Sequence, residues 1–408
     1  MTGETIVITQ GHLRFGYHVA KSLTQAGYRV VAMGLSRPRM CERIPGVIDS
    51  RVYPEPFSKP LPYVAALDDA YRDHHAALIV PVHEDLFVAS YHRDLFSNPG
   101  SVAAPEFPAL LRVHDKRNLN SLGAASDLRT PHSIEVEPGD VVPQLKPLGF
   151  PIILKPRFGE GARGVWRFDN QDQLERNIHV VRAASMREPY IAQQFVAGHG
   201  VCIGVLVIDG VCLAVSGHQR LHEIPLSGGT STARLTFFNP TLEEKVVELV
   251  KRAGISGVCM VELRVTPAGA PYLLDINPRY WGGISVALQS GVDIPALHAK
   301  AWLKQLPTTQ GTHIRPNRLA ETRWALGELN VAFALLARRR FVDLWKLYLA
   351  WRDPDVIFED LPHGGGLGLL LCQLSAYFHR WRLHTEQVKA ARQDFFAMRL
   401  MSQLRNRR

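Results

Sequence analysis

Cysteine is scarce in this sequence. Five cysteines occur in 408 residues, an odd number, and no two of them form a C-x-x-C pair. They stand far apart, at Cys41, Cys202, Cys212, Cys259 and Cys372. Isolated thiols provide neither a disulfide framework nor a structural zinc site, and they are typical of proteins in a reducing compartment. We therefore expect a cytoplasmic protein whose fold depends on core packing.

Long hydrophobic runs are missing as well. No stretch of about 18 apolar residues is present, so the sequence predicts no membrane-spanning helix. The N-terminus shows no basic start followed by an apolar run and a small-residue cleavage site, so we expect no signal peptide. The net charge of +9 suits anionic partners, but the arginines are spread along the chain without a compact basic motif. Nucleic acid is therefore not an expected partner.

The sequence does contain enough apolar material for two or three globular domains, with 46% hydrophobic side chains. In the first 100 residues strand-like runs such as "TIVIT" and "YRVVAM" alternate with helical patterns, and this alternation predicts a parallel α/β sheet. The segment "TQGHLRFG" lacks G-x-G-x-x-G and is expected to be a tight strand-to-helix turn. Short strands dominate from about Pro131, and the chain has a helical pattern from about residue 320.

The segment "ILKPRFGEGARGV" joins a buried strand to a glycine-rich loop. Lys155 ends the strand, and Gly159, Gly161 and Gly164 follow it. Glycines let backbone N–H groups approach an anion closely, and the lysine adds a point charge, so the pattern favours a phosphate site. No G-K-[ST] follows, which excludes a Walker loop. An ordinary hairpin loop with a solvent-reaching lysine is the alternative.

The segment "GVCMVELRVTPAGAPYLLDINPR" has the pattern of two strands joined by the turn "TPAGAP". With the turn centred at Ala268–Gly269, antiparallel pairing places Glu262 directly opposite Asp275. Two facing carboxylates repel each other unless a cation bridges them. The register therefore predicts a cation site at this pair.

The second strand of this hairpin presents further polar groups. Asp275, Asn277 and Arg279 share one face, whereas Leu274 and Ile276 are expected on the other. Together with the opposite glutamate, the aspartate and the asparagine form a set of hard oxygen ligands that suits Mg²⁺. A solvated hairpin face with a salt bridge to Arg279 is the alternative.

A third candidate is the segment "HQRLHEIPLSGGTST". Arg220 ends an apolar strand, and Gly228, Gly229, Thr230 and Ser231 form a small loop rich in hydrogen-bond donors. Both features suit a carboxylate or an acyl phosphate. A plain surface turn is the alternative.

Four segments, "ILKPRFGEGARGV", "AQQFVAG", "MVELRV" and "LLDINPRYWGG", occur in the order and at the spacing of the ATP-grasp superfamily. The sequence most resembles its single-unit, carbamoyl-phosphate-synthase-like carboxylate–amine ligases, over about residues 5–305. The resemblance implies an α/β N-terminal domain at 1–105 and α+β ATP-grasp domains, in two subdomains, at 106–310. A helical C-terminal region at 311–408 follows and is not covered by the resemblance.

The resemblance also implies a role for each matching residue. The implied ATP contacts are Lys116 and Lys155, the loop with Gly159, Gly161 and Gly164, and the backbone around adenine at Gln194, Phe195 and Val196. The implied ligands of Mg²⁺, with Mn²⁺ as an expected substitute, are Glu262, Asp275 and Asn277. Arg279 would face the phosphoryl group in transfer, and Arg220 would face the acyl substrate. Gln193 stands where many members have glutamate, and no acidic ribose contact is evident after Gly198.

The implied reaction is ATP-dependent formation of an amide or peptide bond between a small-molecule carboxylate and an amine. The carboxylate attacks the γ-phosphate, and the amine then displaces phosphate from the acyl phosphate. Positioning and charge neutralisation supply most of the catalysis, and no side-chain nucleophile is required. Two alternatives stay open: a carboxylase or carbamoyl-phosphate-type reaction on the same fold, and a non-catalytic ATP-binding module. The sequence names neither substrate.

The C-terminal segment "LNVAFALLARRRFVDLWKLYLAW", at 329–351, is apolar on more than one face and carries three arginines in its middle. From residue 378 to the end, eight Lys or Arg stand against two acids, a net charge of +6. These features predict either peripheral contact with an anionic membrane or helices that pack on the ligase or form a homodimer interface.

Overall fold

The computed structural model describes residues 3–137, 139, 141–159, 164–226, 228–306, 313–360, 371–372, 374 and 386–405. The strands are β1 (Thr5–Ile8), β2 (Arg29–Gly34), β3 (Val47–Val52), β4 (Leu78–Val80), β5 (Ser133–Val136), β6 (Ile152–Pro156), β7 (Trp166–Phe168), β8 (Tyr190–Gln194), β9 (His199–Ile208), β10 (Val211–Ile224), β11 (Thr230–Phe237), β12 (Gly257–Val265), β13 (Pro271–Asn277), β14 (Glu321–Arg323) and β15 (Val356–Phe358). In this part of the chain they form three sheets.

The helices connect and cover these sheets. They are α1 (Arg14–Gln25), α2 (Pro60–Asp73), α3 (Asp85–Tyr91), α4 (Phe107–His114), α5 (Leu119–Ala124), α6 (Val141–Leu145), α7 (Gln171–Arg176), α8 (Ile178–Ser185), α9 (Pro240–Arg252), α10 (Ile284–Gln289), α11 (Ile294–Trp302), α12 (Ala325–Ala337), α13 (Phe341–Trp351) and α14 (Glu386–Arg405).

The N-terminal sheet has the order β3–β2–β1–β4, and all its strands are parallel, which confirms the prediction from the alternating pattern. Every residue of β1 is buried, as expected for a strand that is covered on both faces. Gly27 ends α1 with a positive φ of 93°, a conformation that glycine adopts without strain. The turns after β1 and β4 lie at the carboxyl edge of this sheet, where ligands of parallel sheets commonly bind.

The other two sheets are built mainly from antiparallel strands. A small sheet, β5–β8–β6–β7, has its own core beneath α6 and α8. A longer sheet runs in the order β13–β12–β9–β10–β11–β14–β15, and its buried face joins the main core of the molecule. The carboxylate hairpin β12–β13 forms one edge of this long sheet.

The region beyond residue 310 is not purely helical, contrary to the sequence-based prediction. β14 pairs antiparallel with β11, and β15 pairs parallel with β14, so two strands extend the long sheet. Each is three residues long, too short to show a period-2 pattern in sequence. They are strands because the edge of β11 offers them backbone partners. The expected boundaries at residues 105 and 310 stay a proposal.

The C-terminal helices pack in two different ways. The pair α12–α13 contributes a small cluster centred on Val331, Leu335 and Leu347, while much of its remaining apolar surface is exposed. Helix α14 instead buries Phe395 and Phe396 in the main core. Among the described residues, no helix combines the length and apolar character needed to cross a membrane.

Candidate active site

A cleft of about 900 Å³ lies between the small sheet and the long sheet. It brings together most of the residues selected from the sequence. Those that line it are Lys116, Lys155, Gly159, Gln194, Phe195, Val196, Arg220, Gly228, Gly229, Thr230, Ser231, Glu262, Asp275 and Arg279. Asn277 and Gly164 lie next to this lining, and Gly161 falls outside the described residues.

The register of the β12–β13 hairpin confirms that Glu262 is paired with Asp275. The route to this register differs from the prediction. Close to the turn, Val265 is paired with Pro271, a register offset by one residue, and a bulge between Glu262 and Leu263 restores the predicted pairing. A bulge inserts one unpaired residue in one strand, here in β13.

The bulge also changes which side chains of β13 face the cleft. Leu274 was expected on the core side with Ile276, but it lines the cleft together with Asp275. The core side is occupied by Leu273 and Ile276. The extra residue interrupts the strict alternation of faces, because two adjacent residues oppose one on the partner strand. The prediction for Leu274 was therefore wrong.

The Glu262 carboxylate is surrounded by hydrogen-bond donors. Arg220 Nη2 lies 2.7 Å from Glu262 Oε2, and Asn277 Nδ2 donates to Glu262 Oε1 at 3.2 Å. Burial acts to raise the pKa of Glu262, but the Arg220 guanidinium outweighs it and holds the pKa below its usual value. Glu262 is therefore ionised at neutral pH and can serve as an anionic ligand.

Two lysines face the other carboxylate of the pair. Lys116 Nζ lies 3.4 Å from Asp275 Oδ1 and also donates to the Gly159 carbonyl at 3.0 Å. Lys155 Nζ donates to the carbonyl of Leu274 at 2.9 Å, which ties β6 to β13 across the cleft. Burial lowers the pKa of Lys155 to about 8, although the charge of Asp275 opposes this shift. Both lysines thus line the cleft between the two sheets.

Arg279 follows β13 and is almost fully buried. Its Nη2 donates to Asn277 Oδ1 at 3.0 Å, and its Nη1 donates to the carbonyl of Tyr280 at 3.0 Å. Its Nε lies 3.9 Å from Glu84 Oε1 on the turn after β4. The guanidinium is therefore held between the metal-ligand candidates and the N-terminal sheet.

The donor set of Glu262, Asp275 and Asn277 fits a hard divalent cation. Two ionisable carboxylates occupy paired positions beside the cleft, and an amide adjoins them. Carboxylate and amide oxygens are the ligands that Mg²⁺ prefers. Within the described residues, no group of three or more His, Cys, Asp and Glu side chains is placed to hold a metal.

The glycine-rich loop begins at Gly159 on the cleft wall. At its far end, Gly164 has a φ of 67°, and a Cβ there would lie 2.9 Å from Tyr190 Oη and 3.0 Å from Pro156 Cγ. A larger residue at Gly164 would therefore be strained in its backbone and crowded by both neighbours.

The segment predicted to hold adenine follows β8. The N–H groups of Gln194 and Phe195 donate to the carbonyls of His132 and Pro151, each at 2.9 Å. These two donors are thus used within the fold, and adenine recognition would depend on the Val196 N–H and on the backbone carbonyls. The Phe195 ring is covered by a guanidinium at 4.0 Å, that of Arg167 on β7.

Arg220 connects the hairpin to the donor-rich loop at 228–231. Besides Glu262, its Nη1 contacts Glu223 Oε1 at 3.1 Å and the Gly229 carbonyl at 3.4 Å, while its Nε donates to Cys202 Sγ at 3.2 Å. The loop is part of the cleft wall. A plain surface turn does not describe it.

A second basic group in the cleft was missed in the sequence. Arg234, which is buried, and Arg14, which is partly buried, both form an ion pair with Glu359, which follows β15. Burial lowers the pKa of Arg14 to about 10. "TQGHLRFG", expected to be a plain turn, thus supplies a cleft arginine. The position of this segment directly after a parallel strand could have indicated a site residue. No sequence pattern indicated Arg234 and Glu359, because their contact depends on strand β15, which was not predicted.

The three sheets and the cleft lined by cations can now be compared with known proteins. A family model described as "ATP-grasp in the biosynthetic pathway with Ter operon" matches residues 187–323. The solved structure of L-amino acid ligase from Bacillus licheniformis is 20% identical, with a TM-score of 0.60, covering 78% of this chain and 79% of that one. This chain therefore has the ATP-grasp fold, and its residues 187–323 match a family of ATP-grasp proteins.

Two further solved structures share the fold. The biotin carboxylase domain of 2-oxoglutarate carboxylase from Hydrogenobacter thermophilus, in complex with MgADP and bicarbonate, is 16% identical with a TM-score of 0.63, covering 78% of this chain and 73% of that one. N5-carboxyaminoimidazole synthetase from Staphylococcus aureus, complexed with ADP, is 16% identical with a TM-score of 0.61, covering 78% and 81%. Known members of this fold thus bind magnesium and adenine nucleotides.

Proposed function

We propose that this protein is an ATP-dependent carboxylate–amine ligase that forms an amide or peptide bond through an acyl phosphate. The observation that carries the proposal is the convergence of Lys116, Lys155, Arg220 and the Glu262–Asp275 pair on one cleft. Lys116 and Lys155 suit the phosphates of ATP, and the paired carboxylates of β12 and β13 suit a bridging divalent cation.

Each residue would have a distinct task in this reaction. Lys116 and Lys155 would hold the phosphates beneath the glycine-rich loop, and Arg220 would orient the carboxylate of the substrate. Arg279 would neutralise charge on the phosphoryl group in transfer. Glu262, Asp275 and Asn277 would hold Mg²⁺, with Mn²⁺ as a substitute, and the bound metal would supply further charge neutralisation at the phosphates.

The chemistry balances without a covalent enzyme intermediate. An oxygen of the substrate carboxylate attacks the γ-phosphorus, the bond to ADP breaks, and an acyl phosphate forms. The amine then attacks the acyl carbon, phosphate leaves with the carbon–oxygen bond electrons, and the amine proton passes to solvent. The protein contributes by aligning the reactants and by neutralising charge.

A second candidate function is ATP-dependent carboxylation. The Hydrogenobacter thermophilus structure, which has this fold, contains bicarbonate as well as MgADP. In this chain, Arg14 and Arg234 line the cleft, where Lys and Arg outnumber Asp and Glu, and this positive excess suits an anion such as bicarbonate. A non-catalytic nucleotide-binding module is the third candidate, and the intact set of candidate metal ligands disfavours it.

ADP release should depend on both a carboxylate and an amine. With Mg²⁺ and ATP present, we expect a pool of amino acids and other small carboxylates together with a pool of amines to raise ADP release. Omission of the amine pool should lower ADP release, since the acyl phosphate is consumed only when an amine attacks. A coupled ADP assay measures this, with bicarbonate alone as the comparison. Release that needs only bicarbonate would support carboxylation, and no release under any condition would support a binding module.

We also propose a peripheral contact between the α12–α13 pair and an anionic lipid surface. The exposed apolar side chains include Phe333, Phe341 and Trp345, each at least 60% exposed, and Arg338–Arg340 stand in the turn between the helices. Aromatic side chains beside a basic cluster suit anionic headgroups. A symmetric dimer centred on this turn would bring two arginine clusters together, so a homodimer through it is the less favoured alternative.

Sedimentation with vesicles tests this contact. The full-length protein should pellet with vesicles containing phosphatidylserine at low salt and remain in the supernatant with neutral phosphatidylcholine vesicles, because basic side chains bind best when they are unscreened. Phe341→Ser combined with Trp345→Ser should abolish pelleting. A wild type that stays in the supernatant with anionic vesicles would rule out the contact, and a doubled mass by light scattering that the same variant removes would favour the homodimer.

A further inference from the structure

Helix α14 lies outside the segment matched by the family model and packs at the centre of the molecule. Phe395 and Phe396 are 2% and 0% exposed. Phe396 contacts rings that come from three regions, namely Phe57 and Phe87 of the N-terminal region, His114 of α4, and Phe158 at the start of the glycine-rich loop. The C-terminal helix therefore contacts both the N-terminal region and the residue that precedes the glycine-rich loop.

The first path from α14 to the cleft passes through Phe158. The rings of Phe396 and Phe158 stack with their centroids 5.5 Å apart and their planes within 8°. Phe158 also contacts the Arg157 guanidinium at 5.0 Å, and it is followed directly by Gly159, whose carbonyl binds Lys116. Helix α14 thus fixes the point at which the glycine-rich loop leaves β6.

The second path passes through a buried carboxylate. Arg392 of α14 forms an ion pair with Glu84, and Glu84 lies on its other side 3.9 Å from Arg279. Glu84 is 4% exposed, so its charge depends strongly on the cations beside it. If Arg392 were lost, the Glu84 carboxylate would have one cation fewer beside it and would attract Arg279 more strongly, away from Asn277.

A third contact reaches the far end of the glycine-rich loop. Gln393 of α14 hydrogen-bonds to Glu188, and Tyr190 Oη donates to Glu188 at 3.4 Å. Tyr190 Oη is also the atom that crowds the Cβ position of Gly164. The two ends of the loop are therefore supported by neighbouring turns of one helix.

We infer that α14 is a positioning element of the nucleotide cleft, in which Arg392 holds Glu84 and thereby leaves Arg279 directed at the phosphoryl group. The inference rests on the proposed function for the role of Arg279. Arg392 does not line the cleft, so it acts there through Glu84 and is a positioning residue. Phosphoryl transfer in this protein would thus depend on a helix that is far in sequence from the residues that line the cleft.

Two arginines on the same helix provide a matched test. Arg392→Gln should lower kcat for ATP turnover by about 10-fold or more, with KM for ATP changed by less than about 2-fold, because the ground-state phosphate contacts are retained. Arg399→Gln makes the same chemical change, but Arg399 packs over Tyr91 and Phe395 and lies on neither path, so both constants should stay within about 2-fold. Equal effects in the two variants would overturn the inference.

Rescue separates positioning from loss of stability. The double variant Glu84→Gln with Arg392→Gln should regain much of the turnover lost in Arg392→Gln, because no charge remains to attract Arg279. A double variant as impaired as the single one would overturn the inference. Thermal unfolding of all four proteins shows whether any loss merely follows stability.

A binding measurement tests the inference without the substrates of the proposed reaction. Mg²⁺, ADP and aluminium fluoride together mimic a phosphoryl group in transfer, and calorimetry should show about 10-fold weaker binding of this complex by Arg392→Gln than by wild type, with ADP alone unchanged. If the wild type binds ADP but forms no ADP from ATP with any substrate pool, the proposed function fails. The comparison of fluoride-complex binding by wild type and Arg392→Gln still decides the role of α14. Equal binding of the fluoride complex by both proteins would overturn it.

Discussion

Glu262→Gln and Asp275→Asn are each expected to reduce Mg²⁺-dependent ADP release by about 100-fold or more while the protein remains folded. Each change removes one charge from the carboxylate pair across β12–β13 that lines the cleft. A weaker hold on the cation leaves the phosphates less neutralised when the phosphoryl group is transferred. A titration of ADP release against Mg²⁺ measures the effect, and high Mg²⁺ should restore part of the activity.

An exposed carboxylate gives the matched control. Glu244→Gln on α9 makes the same change as Glu262→Gln at a position outside the cleft, and it should leave turnover within about 2-fold. Circular dichroism and thermal unfolding establish that the cleft variants are folded. Normal turnover in both cleft variants would show that this pair does not hold the catalytic cation.

Lys155→Ala is expected to weaken ATP binding by about 10- to 100-fold, the range for losing a charge-assisted hydrogen bond to phosphate. Lys155 is buried at the end of β6, so water cannot replace its charge readily. Arg279→Ala should instead lower turnover more than ATP affinity, since its partner is the group in transfer. Calorimetry with ATP measures both variants, with Lys146→Ala as the control because Lys146 is exposed and lies outside the cleft. Equal ATP affinity in Lys155→Ala and wild type would contradict the assignment of Lys155 to the phosphates.

The pH dependence of ATP binding provides a second measurement on the same lysine. Burial lowers the pKa of Lys155 to about 8, so the free protein loses this charge as the pH rises through 8. ATP affinity of the wild type should therefore fall between pH 7 and pH 9, and Lys155→Ala should lack this component. Because the unfolded chain binds the proton more tightly, Lys155 should also make the free protein more stable as the pH rises from about 8 towards 10.5. An ATP affinity independent of pH in the wild type would place Lys155 away from the phosphates.

The sequence by itself determined the features that depend on local pattern. Alternation of strands and helices predicted the parallel N-terminal sheet, and hairpin periodicity predicted the pairing of Glu262 with Asp275. The order of four short segments predicted the ATP-grasp superfamily. The sheet prediction holds because helices and strands have different side-chain periods, whereas the pairing of Glu262 with Asp275 also needed the bulge in β13 to correct the register.

Only the tertiary structure decided the features that the periodic pattern of apolar and polar residues does not encode. The bulge in β13 placed Leu274 on the cleft side, and the strands β14 and β15 formed because the edge of β11 was available to them. The burial of α14 likewise depends on rings that are contributed by distant parts of the chain. An ion pair such as Arg392–Glu84 carries no sequence signal, because its two members are far apart in the chain and meet only when the helix packs against the buried Glu84.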